Sequence, residues 1–509
     1  MRRGTVGAGA LLLCFLVAGT ESHPQSGQKK PKSPLSSGID SAAAGQMGGA
    51  KASPLCEDGE FLRRVMLDLV GYPPSLEQVK SFIADTNVDK RAEMVDKLLE
   101  NEDWADRTSR LFCEGWFGDY HKVPIMITPK IDAGAEQKIV NDFVSWMKLK
   151  LSKDAPYRDI VEAIIRARGT GTGDPALLWK LSCFSGGDDG PAIEFANRVS
   201  RHFLGIRLRC AQCHDHPFDV WKEKHFYSMA AFFARTKAKG GSDVEVSEDG
   251  SAESMKSPAG NNQPQFIYGQ KPGKADQWMD AMSVYVAGPE NPQLAPATVN
   301  RVWSWLFGRG LVHPVDDFNR MTQATAGPIL GVLAKEFRGS KYSIKTLFRG
   351  ICNSDTYQRS SENEARMMKP SFAVGWIKHL DAEQLQNSIL VATGNRPSKD
   401  AGTAISMVSP LFPADVVWCE VTPLPGNMRQ ALFVRNNHSI HGQISGGLSK
   451  LSGSSTAEKV ADMFLAILSR KPTQGEADRF SKYIEGHKSN GLEDAYWTLM
   501  NTTEFLSRH

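Results

Sequence analysis

Two stretches with few large apolar side chains limit what this chain can fold into. Residues 21–54 are dominated by Ser, Gly, Pro, Ala and Lys, and residues 238–275 by Gly, Ser, Pro and charged groups. Neither carries enough apolar surface to offset the conformational entropy lost on ordering. The first reads as a disordered tether and the second as a linker between domains, with only short strands expected over 243–246 and 265–268. A chain of 509 residues that is 41% hydrophobic exceeds what one core usually serves, so at least two domains are expected. The expected fold is mainly α: two helical domains joined by a Gly/Ser-rich connection, with little β structure. The expected divisions are a signal peptide over 1–20, the tether over 21–54, a helical domain over 55–237, the linker over 238–275 and a second helical domain over 276–509.

The segments between these stretches carry apolar residues at three-to-four spacing, the period of an amphipathic helix. Phe61, Val65, Leu67, Leu69 and Val70 end at Gly71-Tyr72-Pro73-Pro74, after which Ser75 and Gln78 form a capping box ahead of Val79, Phe82 and Ile83. Further helices are expected around 94–99, 139–151, 160–168 and 191–204, the last ended by Gly205. Asp219 is expected to cap a helix running to about residue 234. The second domain is expected to hold helices over 300–307, 329–337, 344–351, 381–392, 457–468 and 476–484. Gly169 to Gly173 alternate with Thr170 and Thr172 but lack the Gly-Lys-Ser/Thr ending of a phosphate-binding loop, so a plain loop is expected.

Arg2 and Arg3 precede an apolar run over 8–18 and small residues at Gly19 and Thr20, the layout of a secretory signal peptide. The chain is therefore expected to be exported to the periplasm or cell surface of a bacterium, with no transmembrane span in the mature protein. Its formal charge of +3 has no long basic block, so nucleic-acid binding gains no support. Removing the signal leaves seven cysteines, an odd number that no complete disulfide framework accommodates. Most of them read as small buried apolar residues.

Cys210-Ala211-Gln212-Cys213-His214 carries the clearest chemical signal. C-x-x-C-H is the spacing that attaches a c-type haem: the two thiols reach two vinyl groups of one porphyrin, and the following imidazole ligates the iron. Random placement of 8 Cys and 12 His in 509 residues gives about 0.003 such motifs per chain. Haem c is the cofactor expected here. Two other readings stay open: zinc or non-haem iron held by Cys210, Cys213, His214 and His216 with Asp215 beside them, or a short disulfide in a non-enzymatic interaction scaffold at the cell surface. Asp215 and His216 could equally orient His214. For a six-coordinate haem, His225, Met229 or His216 is the candidate sixth ligand; Trp221, His225, Met229 and Phe232 or Phe233 share one helical face.

Several longer blocks carry a resemblance. FLRRVMLDLVGYPPSLEQV (61–79), VDKLLENEDWADR (95–107) and CAQCHDHPFDVWKEKHFYSMAAFFA (210–234) resemble the first of a pair of planctomycete-type cytochrome-associated domains of unknown function. NRVWSWLFGRGLVHPVDDF (300–318), SDTYQRSS (354–361), LSRKPTQGEADRF (468–480) and NTTEFLSRH (501–509) resemble the second. The resemblance implies a PSCyt-like domain followed by a PSD-like domain in an exported protein, with Cys210 to Asp219 as the hallmark block. Larger relatives add a cytochrome c module, so the redox partner expected here is a separate protein, another exported cytochrome. The family's His-Pro-Glu-Leu-Leu-like block is replaced by Thr325-Ala326-Gly327-Pro328-Ile329-Leu330, and any role of that histidine is absent. The resemblance defines no substrate or reaction, and whether the chain is an enzyme stays open. Asn300, Arg301, Arg309, Asp316 and Asp317 lie among large apolar residues and are expected to be buried hydrogen-bonding partners.

Overall fold

The computed structural model describes residues 30–118, 125–184, 190–258, 260–320, 327–361, 372–398, 428–487 and 489–509, together with Val123 and Val408. The expected signal peptide, the start of the expected tether, Cys419 and residues 325–326 lie outside the described residues. The fold is mainly α. Strands are short and few: Glu245–Ser247 pairs with Gly169–Thr170 on one side and Lys237–Lys239 on the other, Met255–Ser257 pairs with Gly260–Asn262, and Lys378–His379 pairs with Ser507–Arg508, all antiparallel.

Helices form where apolar period and capping chemistry coincide. Asp58–Val70 ends in Gly71, whose φ of 80° is the left-handed conformation that glycine adopts without a Cβ clash. The Ser75–Gln78 capping box opens Leu76–Ala84 as expected. The 191–204 segment is helical over Pro191–Val199, widens into a π turn over Ser200–Leu204, and stops at Gly205, which has a φ of 66°.

Gly169–Thr170, expected in a plain loop, is one of the short strands, and two longer stretches depart further from the sequence expectation. Within 21–54, Pro34–Ala44 is a helix: Pro34 occupies its first turn, the Ser33 hydroxyl accepts from the Ser36 amide, and Leu35, Ile39 and Ala43 recur every four residues and are buried. Three apolar residues on one face sufficed, although the stretch as a whole is poor in them. Residues 53–56 are fastened by backbone hydrogen bonds from Ser53 to Ala373, from Ser360 to Pro54 and from Cys56 to Gln358. Residues 238–275 likewise pack into the core through Val244, Val246, Phe266 and Ile267. The strand expected over 265–268 is instead a turn, closed by Phe266 and Gly269 amides bonding to Gln270 and Phe266 carbonyls.

One hydrophobic core runs from Leu35 to Tyr357 without a break at 238–275 and takes in Leu465, and a second gathers Leu67 with residues from Leu380 to Phe505. Charged groups tie the two together. Asp68, fully buried, pairs with Lys378 Nζ at 2.6 Å and accepts from the Tyr357 hydroxyl at 2.8 Å. Arg107 reaches Asp381 at 2.7 Å and Glu383 at 2.6 Å. The Asp68–Lys378 pair, buried on both sides, adds little net stability but is costly to break, because the survivor is left charged in a dry site. Among the described residues, no helix is long and apolar enough to cross a membrane.

Candidate functional site

The C-x-x-C-H segment follows the Gly205 helix end directly. Leu208–Ala211 is a single 3₁₀ turn, and with three residues per turn Leu208 and Ala211 share one side. Both are buried, whereas Cys210, Cys213 and His214 are exposed. The turn therefore roots the segment in the core by its apolar pair and presents both thiols and the imidazole to solvent. Both thiols are free. Cys56, Cys113, Cys183 and Cys352 are also free but buried, matching their reading as small apolar residues.

The three nearby histidines differ in where they carry the ring proton. His214 Nδ1 lies 2.8 Å from the Asp215 main-chain oxygen. A carbonyl oxygen can only accept, so Nδ1 holds the proton and Nε2 keeps a free lone pair. His216 Nδ1 instead accepts from the Phe218 amide at 3.2 Å, and His225 Nδ1 accepts from the Lys222 amide at 3.0 Å. In their neutral forms those two rings carry the proton on Nε2. Burial, with help from Lys224 and Lys222, lowers the His225 pKa, which favours that neutral form.

The candidate sixth ligands are placed unequally. Met229 is fully buried in the main core. His225 sits at the start of Glu223–Ala231 with its ring edge-on to Trp221. That helix begins at Glu223 with Lys222, not Asp219, at its cap position, because the His216 amide bonds to the Trp221 carbonyl at 2.8 Å and closes a loop first. Asp219 bonds to the Val220 amide inside this loop, whose tip leaves Phe218 66% and Val220 44% exposed. Among the described residues, no three His, Cys, Asp or Glu side chains gather closely enough to hold a metal ion.

A buttress behind the segment comes from far along the chain. Asp316, fully buried, pairs with Arg201 and Arg207, each at 2.9 Å. Burial alone would raise its carboxyl; the two arginines hold it below the usual carboxylate range. The Phe318 amide donates to the Gly205 carbonyl at 2.8 Å, and a Cβ on Gly205 would meet the Phe318 ring at 2.8 Å. Arg301 donates to the His202 carbonyl at 2.9 Å, and Asn300 exchanges two bonds with Val312. Asn300, Arg301 and Asp316 are thus the buried partners their setting indicated, whereas Arg309, expected among them, is exposed and Asp317 is half-buried.

His202 is a residue the sequence reading missed. It is buried, its Nδ1 accepts from Trp179 Nε1 at 3.0 Å, and no short motif marks it. Burial, reinforced by Arg198, Arg301 and Arg201, pushes its pKa well below the ordinary 6.5. The unfolded chain then binds a proton that the folded chain refuses, so stability is full above about pH 6.5 and falls below it, by at most about 1.4 kcal/mol per pH unit for one such group. The buried His509 ring is shifted the same way. Urea melts between pH 7 and 5 should show this loss, and His202→Asn, which keeps an acceptor for Trp179, should shrink it; an unchanged slope would reject the assignment.

Two family models match the chain. The model described as PSCyt2, a protein of unknown function (DUF1549), covers residues 41–238, and the model described as PSD1, a protein of unknown function (DUF1553), covers 280–427. No curated protein and no solved structure matches.

Proposed function

Since the chain belongs to the proteins of unknown function that place a PSCyt2 domain before a PSD1 domain, we propose that it is an exported protein carrying one covalent c-type haem. Cys210 and Cys213 would tether the porphyrin, and His214 Nε2 would ligate the iron. The observation that carries the reading is the His214 ring: of the three nearby histidines, it alone has Nδ1 protonated by its hydrogen bond and Nε2 free, as an iron ligand requires. The exposed thiols and the apolar Phe218 and Val220 beside them support it, since a porphyrin face would cover side chains that water now touches. Bound haem would supply a one-electron couple, to be exchanged with a separate exported cytochrome.

Met229 and His225 enter this proposal with different costs. Met229 would have to leave the core to reach iron, and His225 would have to move its ring proton and give up the Lys222 amide. His216 faces the same cost as His225, because its Nδ1 accepts from the Phe218 amide, so His214 would be the one of these side chains able to hold the iron without rearranging. Met229→Ala is expected to lose about 3 kcal/mol of stability through the cavity it leaves and to leave the reduced haem spectrum unchanged. A shifted α-band in that variant would restore methionine as the sixth ligand.

The zinc or non-haem iron reading needs Cys210, Cys213, His214 and His216 to converge, and His216 is turned to the Phe218 amide. Metal analysis of the purified chain, with thiol counting, distinguishes that reading and the disulfide from haem.

A further inference from the structure

A cleft of about 960 Å³ opens where the two hydrophobic cores meet, sharing no residue with the C-x-x-C-H segment. Its size suits a ligand site, for which volumes run from about 300 to 1,000 Å³. One wall is built by the first turn of Leu76–Ala84 and by Glu102–Phe117, the other by Ala382–Ala392 and the chain that follows it.

We infer that this cleft binds a neutral, polyhydroxylated ligand, an oligosaccharide. Five of the described side chains lining it are acidic and five are basic, so it offers no net charge. Several of these charges are engaged with protein partners: Arg110 with Asp106 and Glu383, Lys80 with Asp462, and Lys148 near Asp106. At these positions an ionic ligand would have to displace a partner. A hydroxyl need not, because a paired carboxylate keeps spare lone pairs, and a hydroxyl both donates and accepts.

The neutral groups are held in place for the same task. Asn387 is fixed by bonds to the Gly71 carbonyl and the Ser398 amide. Asn395 donates to Gln443 and Thr393. Tyr72, whose hydroxyl donates to Asp103 at 2.7 Å, brings an aromatic ring to the cleft beside Pro73. Rigid polar groups around one ring avoid the ordering cost that flexible side chains would add on binding.

Ligand-observed NMR on the full chain with cellotetraose, xylotetraose and mannotetraose tests the inference. At least one is expected to bind with a dissociation constant of about 1 mM or tighter, and Tyr72→Ala should weaken it about tenfold. Lys450 is exposed at the rim, and Lys450→Trp should block the cleft and abolish binding at an unchanged melting temperature, so a folding defect cannot imitate the result. Triglycine and inorganic phosphate serve as charged probes. The inference is overturned if only a charged probe binds, if none of the three sugars binds at about 10 mM, or if binding survives Lys450→Trp.

Discussion

Exported in a host that matures c-type haem, the wild-type chain is expected to keep its haem through denaturation, staining for peroxidase in a denaturing gel and showing a reduced α-band. The thioether bonds alone survive unfolding, so the double variant Cys210→Ala/Cys213→Ala should lose the stain entirely, and Cys213→Ala alone should lower it. His214→Ala should remove the proximal ligand and most of the attached haem. These effects approach all-or-none because both thiols sit exposed on one turn, with no other exposed cysteine among the described residues to substitute for them. A colourless wild type beside a control cytochrome that matures normally would reject the proposal.

Asp316→Ala should destabilise the fold by about 3–5 kcal/mol, the usual effect of removing one member of a buried charge pair. The loss comes from what remains: Arg201 and Arg207, both facing a carboxylate that is gone. Arg207 stands three residues before Cys210, so the damage should appear at the cysteine segment as well as in global stability. Chemical denaturation measures the first, and the rate of thiol modification at Cys210 and Cys213 before and after substitution measures the second. A loss under about 1 kcal/mol would mean that water replaces the carboxylate and that the pair is a surface bridge in disguise. The PSCyt2 and PSD1 matches, read separately, give no hint of such a contact; its acid lies in one and its two bases in the other.

Where one local cause decides the conformation, the sequence was readable. Ser75, Gln78 and the apolar period after them act within one turn, and the helix begins where they place it. Gly205 ends its helix because a left-handed residue must be found there. The failures have a different origin. Pro34–Ala44 has too few apolar residues to stand out by composition, yet Leu35, Ile39 and Ala43 meet a core made mostly of residues far away in sequence. Residues 238–275 order for the same reason, as Val246 is covered by partners outside any local window. The helix after the cysteine segment begins three residues later than its expected cap at Asp219 would place it, because loop closure from His216 to Trp221 depends on geometry that no periodicity encodes. At the candidate site, Cys210, Cys213 and His214 were legible from spacing, whereas the separation of His214 from His216 and His225 was not, since all three are the same letter.

That separation has a wider meaning. The group that sets the His214 ring is a peptide oxygen. Every residue type at position 215 would bring the same oxygen, so the aspartate side chain is not what sets the proton there. The orientation of the imidazole is thus a property of the path the backbone takes after Cys213, inherited from the 3₁₀ turn and the Asp316 buttress behind it. Chemistry at this surface is written into the course of the main chain, and the side chains around it are free to answer to other demands.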